Sequence, residues 1–160
     1  RARGLFIVGT ENHTQGVGDR IADFVIENDI QGVLIQSMYF IPGTPSYDQH
    51  KNELIDESRW DRCTGSVVHY PAHMTASQLQ EEIIHASSRI YSLSRLAKAL
   101  IYKKGMERTL FIGEFFWQAS IRHDLRKELS YLRAADCRRQ ESLDFRVDNP
   151  CPVGAHVSAA

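Results

Sequence analysis

With 160 residues, 42% of them hydrophobic and 24% charged, the chain is sized for one ordinary domain that buries about two-thirds of its unfolded surface. Nineteen Lys and Arg against twenty Asp and Glu leave a formal net charge of -1, which excludes a global field that would draw in nucleic acid or an anionic membrane. No apolar run approaches the roughly 20 residues of a membrane helix and no signal-peptide pattern opens the chain, so the expected setting is cytoplasmic, without a membrane span or a nucleic-acid partner.

The first element is the apolar run GLFIVG, Gly4 to Gly9, bounded by glycines as in a parallel strand buried on both faces. A strand so close to Arg1 reads as the middle of a βα series whose earlier strands lie outside these residues, so the chain is expected to be a C-terminal piece. Val17, Ile21, Phe24 and Val25 follow at helical spacing up to about Asn28, and GVLIQSMYF, ending at Phe40, gives a second strand. The order β, α, β with short joints predicts one right-handed crossover unit in a parallel sheet or barrel.

IPGTP turns the chain sharply away from the second strand. A polar stretch with a short helix and a brief β-prone run, SVVHY, bring the first region to a close at residue 70. Thr75 with Gln78 then forms a capping box, and Met74 with Leu79 a hydrophobic staple. From there Leu79, Ile83, Ala86, Ile90, Leu93, Ala97 and Leu100 predict one continuous helix stopping at Gly105. A second helix is expected from Met106 to about Ala135, giving a helical hairpin over residues 71–136. Residues 137–160 gather Pro, Gly and small side chains and are expected to form a loosely ordered tail.

In parallel α/β architectures ligands sit at the carboxyl ends of the strands. Two such ends exist here, VGTENHT and QSMYFIPGTP, and together they predict a small-molecule site. His69 and His73 are four apart, a spacing used by metal ligands on a helix, but Pro71 lies between them and the capped helix begins only after His73. Cys63, Cys137 and Cys151 are widely spaced and fit reduced thiols better than a disulfide framework or a zinc site. Cys63 has arginine neighbours but no paired histidine, and neither a phosphate-binding glycine loop nor a nucleophile elbow is present.

Three stretches, FIVGTENHT, MYFIPGTPSYDQH and VVHYPAHMTASQLQEEIIHASSRIYS, resemble in order and spacing the C-terminal part of radical S-adenosylmethionine enzymes, in particular the subgroup that carries a cobalamin-binding domain. The resemblance covers about residues 4 to 100. It implies an α/β fold, the last βαβ portion of a partial TIM-type barrel followed by the C-terminal helical hairpin. It also implies that Ile7, Gly9 and Glu11 on one strand end, and Met38, Tyr39 and Phe40 on the other, lie beside bound S-adenosylmethionine.

A four-iron, four-sulfur cluster and cobalamin would belong to the parent protein, because no CxxxCxxC loop occurs here. Glu11 and His13 stand where that family commonly has aspartates, and Tyr39 and Phe40 replace smaller residues, so backbone roles carry over more readily than side-chain roles. This chain alone is not expected to be active, no catalytic residue is assigned, and the substrate is unknown. The alternative is a non-enzymatic interaction module that uses the apolar stripe from Leu79 to Leu100.

Overall fold

The computed structural model describes residues 3–56 and 65–148, with side-chain surroundings given as far as Ser142. Strand β1 (Arg3–Val8) leads through helix α1 (Val17–Glu27) to β2 (Gly32–Ser37). Helix α2 (Pro45–His50) and a 3-10 turn (Lys51–Glu53) follow, and then α3 (Ala76–Ile90), α4 (Leu93–Tyr102) and α5 (Met106–Asp148). The sheet has two strands, paired in parallel with Leu5 opposite Leu34 and Val8 opposite Ser37. This is the expected βαβ unit, joined to helices in a mixed α/β architecture. No barrel is formed among the described residues.

Only one face of the sheet is covered. Phe6 and Val8, with Val33 and Ile35, turn toward α1, α3 and the helices beyond, whereas Leu5 is 65% and Ile7 56% exposed on the other face. The expectation that the first strand is buried on both sides is therefore corrected. A continuous apolar run cannot distinguish burial on two faces from burial on one.

The two sheet edges also differ. The Val8 carbonyl accepts from the Met38 amide at 2.7 Å, so alternation along the strands turns the backbone groups of Leu5 and Ile7 away from β2, and those of Val33 away from β1. At the β2 edge the Val33 amide donates to the Tyr91 hydroxyl at 2.9 Å, and Gln118 Nε2 donates to the Val33 carbonyl at 2.8 Å. Helix side chains thus occupy the position a further strand would take at Val33. At the β1 edge no strand pairs among the described residues.

The helices are tied end to end. Thr75 and Gln78 form the expected capping box at the start of α3, and both carboxylate oxygens of Asp136 on α5 accept from the Ala76 and Ser77 amides at 3.0 and 2.9 Å. In turn Glu82 on α3 accepts from the Gly16 and Gly18 amides at the start of α1, both at 2.8 Å. An α-helix begins with unpaired N–H groups, and a carboxylate from the next helix satisfies them while favouring the positive end of the helix dipole. Gly18 has to be glycine, because a Cβ there would stand 2.4 Å from the Glu82 carbonyl oxygen.

The second strand ends at Ser37 rather than Phe40, and two helix boundaries also differ from the sequence reading. The helix expected to run from Thr75 to Gly105 breaks at Tyr91 and Ser92 into α3 and α4. The break lets Tyr91, 2% exposed, place its hydroxyl on Val33. The second helix does not end near Ala135 but runs to Asp148, so residues 137–148 of the expected loose tail are helical; the remainder lies outside the described residues. The antiparallel packing of α3 on α5 keeps the hairpin, with α4 as its connector.

Replacing Tyr91 by Phe removes the acceptor for a buried amide while keeping the ring. The expected cost is about 1–3 kcal/mol, read as a lower urea midpoint with an unchanged slope.

Candidate functional site

Gly9, at φ 90, ends β1. A Cβ there would stand 2.8 Å from Leu79 Cδ2 and 2.9 Å from His69 Cε1, so glycine is needed both for the backbone angle and for the close approach of two side chains. After β2, Phe40 is buried, Gly43 takes φ 84, and Thr44 caps α2, its hydroxyl donating to the Ile41 carbonyl and accepting from the Tyr47 amide. Pro45 follows at the first helical position, where its missing N–H is harmless. The sharp turn after the second strand is thus a helix start, and it sends the chain back over the strand ends.

The result is an open cleft of about 650 Å³. One wall is the two strand ends, with Gly9, Thr10, Glu11 and Asn12 from the first and Met38 and Phe40 from the second. The opposite wall comes from the return loops and the far end of α5, with His50, Glu53, Tyr70 to His73 and Arg139.

Of the six cofactor-side residues expected from sequence, the structure brings Gly9, Glu11, Met38 and Phe40 to this cleft. Ile7 and Tyr39 are absent from its lining; Ile7 lies on the uncovered sheet face, and Tyr39 is 41% exposed. His13, which precedes the helix, folds back on its own turn, with Nδ1 accepting from the Thr10 amide at 3.3 Å.

His69 holds the cleft together. It is 2% exposed, and its Nε2 lies 2.9 Å from the Gly9 carbonyl. A carbonyl only accepts, so Nε2 carries a proton and donates it to Gly9. Nδ1 is buried without a hydrogen bond. Phe40 packs its face on His50, with centroids 4.6 Å apart, and meets His69 edge to face at 5.6 Å. His50 Nδ1 approaches Glu53 Oε1 at 3.1 Å.

Burial holds the His69 imidazole below its usual range, and His50 adds to this. The hydrogen bond to Gly9, the Glu53 carboxylate and the Met38 backbone act in the opposite direction but do not prevail.

His73 lines the same cleft, but His69 has spent Nε2 on Gly9, and no group of three His, Cys, Asp or Glu gathers at metal-binding geometry among the described residues. Cys137 is exposed on α5; Cys63 and Cys151 lie outside the described residues. Among the described residues Cys137 is therefore the one thiol in view, and it has no second cysteine beside it. The strand-end wall presents the Thr10 to Asn12 turn and the Phe40 ring to the cleft, while the Gly9 carbonyl and the Met38 amide are already bonded within the fold.

No helix among the described residues is long and apolar enough to cross a membrane. A folded-state pKa below the unfolded value of 6.5 means that unfolding takes up a proton below that pH. The stability His69 contributes is therefore complete above about pH 6.5 and is lost as pH falls toward its lowered folded value. His69→Gln is expected to flatten this part of the stability profile relative to the parent chain, measured by urea melts from pH 7.5 down to 5. No protein-family model, no curated protein and no solved structure matches this chain.

Proposed function

We propose that this chain is the C-terminal part of a radical S-adenosylmethionine enzyme of the cobalamin-binding-domain subgroup. In this reading it supplies the last two strands of a partial TIM-type barrel and part of the S-adenosylmethionine pocket. The cluster-binding residues lie elsewhere in the parent protein, and the chain by itself has no activity.

One observation carries the reading: the two strand ends named by the resemblance line one cleft at the carboxyl end of a parallel pair, where α/β folds keep their ligands. The uncovered face of Leu5 and Ile7 and the unpaired β1 edge supply further support, since both are what a strand pair at one end of a larger sheet requires. In this pocket the Gly9 and Thr10 segment and the Met38 to Phe40 segment hold the nucleoside end through backbone groups and the buried Phe40 ring. The bound cofactor would supply an adenosyl radical or a methyl group once cluster and cobalamin are provided by the rest of the protein.

The interaction-module reading draws on the apolar stripe. Leu79, Ile83, Ala86 and Ile90 of that stripe are buried within the chain, leaving Leu93, Ala97 and Leu100 exposed on the short helix α4 as its remaining surface.

Titration of the 15N-labelled chain with S-adenosylmethionine tests the cofactor reading. The expected result is saturable shifts of the Gly9, Thr10, Met38 and Phe40 amides. Shifts confined to other surfaces, or none at millimolar cofactor, overturn it.

A further inference from the structure

The cleft wall opposite the strands contains a guanidinium that the fold positions and that has no ionic partner among the described residues. Arg139 lies on α5 one turn beyond Asp136 and reaches the cleft because α5 extends past Ala135. Its guanidinium carbon sits 4.1 Å from the centroid of the Tyr70 ring, a cation–π contact that holds the charged group at the cleft wall. Tyr70 is itself fixed, its hydroxyl donating to the Ala135 carbonyl at 3.2 Å.

Among the described residues, none of the carboxylates around the cleft pairs with Arg139. Asp136 is taken up by the α3 amides. Glu53 lies against His50. Glu11 lines the same cleft without forming an ion pair with Arg139, and Arg139 has no salt bridge among the described residues.

We propose that Arg139, held over the Tyr70 ring, is the anion-recognition residue of the strand-end cleft and receives the carboxylate of a small organic ligand. A stacked, unpaired guanidinium facing a cavity presents paired N–H donors in the geometry a carboxylate accepts. A singly charged carboxylate suits the site better than a doubly charged phosphate, because Glu11 and Glu53 line the same cavity and repel each added negative charge. The carboxylate has two sources, an S-adenosylmethionine bound across the cleft or a separate amino-acid-like substrate beside it. The first of these rests on the function proposed above; the second does not.

The test uses the full chain with selective detection of the Arg139 Nε–Hε signal and three probes: S-adenosylmethionine, adenosine and methionine. The carboxylate-bearing probes are expected to move that signal and adenosine to leave it in place. Arg139→Gln, with circular dichroism and melting temperature unchanged, is expected to weaken them about ten-fold or more, the scale of one lost charge-assisted hydrogen bond, without altering adenosine binding.

If S-adenosylmethionine and adenosine bind equally well and Arg139→Gln changes neither, the anion site is overturned while the cofactor reading stands. If methionine moves the Arg139 signal and neither nucleoside binds, the cofactor reading falls and the anion site stands. If no probe moves the signal, the anion site is overturned.

Discussion

Everything in this fold hangs on the two backbone groups of Val33. A two-stranded parallel sheet is weak by itself, and each of its edges offers a row of unsatisfied donors and acceptors. At Val33 that row is ended by side chains, the Tyr91 hydroxyl and the Gln118 amide, which arrive from the two arms of the helical hairpin near its α4 end. Once they are in place the sheet has a direction: it ends at β2, while at β1 no strand pairs among the described residues. The same two contacts set the register of α3 and α5 over the strands, so the core around Leu79, Ile83, Leu125 and Leu132 closes in one way only.

The helices transmit that register to the site. Glu82 caps α1 and Asp136 caps α3, so each helix start is held by a carboxylate from a later element. Gln80 extends the scheme through the core: its oxygen accepts from the Val67 amide and its nitrogen donates to the Leu125 carbonyl. The loop that carries His69 is therefore fixed on both sides before His69 reaches the Gly9 carbonyl. Leaving any of these buried groups unpaired costs more than the hydrogen bond contributes when made, so the cleft is built on a rigid frame. One wall comes from the two strand ends and the other from the loops of residues 50–73 and from α5, which reaches the cleft only by continuing past Ala135.

The βαβ unit, the capping box at Thr75 and the turn after Phe40 were legible in the sequence because each rests on local chemistry: short apolar runs, a cap spacing, and a Pro-Gly pair. Half of the cleft was legible for the same reason, as strand ends are recognised by the elements they close. Strand alternation could not have set Ile7 apart from Gly9, since residues two apart share a face; what parts them is that β1 ends at Val8 and Gly9, at φ 90, has already left the strand.

The opposite wall was not legible. His69, Glu53 and Arg139 meet the strand ends only through tertiary packing, and the one local hint was a histidine inside the apolar run SVVHY. The break at Tyr91 was hidden by a stripe whose spacing continues through it; what breaks the helix is the need for a hydroxyl at Val33, which periodicity does not register. The length of α5 was missed because the composition of residues 137–160 was averaged over a segment whose first part is helical and well charged.

The directional sheet is tested most directly by native-state hydrogen exchange at three amides. The account predicts that Val33, bonded to Tyr91, exchanges slowly, near the limit set by global unfolding, while Leu5 and Ile7, turned toward the open edge, exchange orders of magnitude faster. Equal protection at all three would contradict it, because the β1 edge would then be closed and could not receive a neighbouring strand.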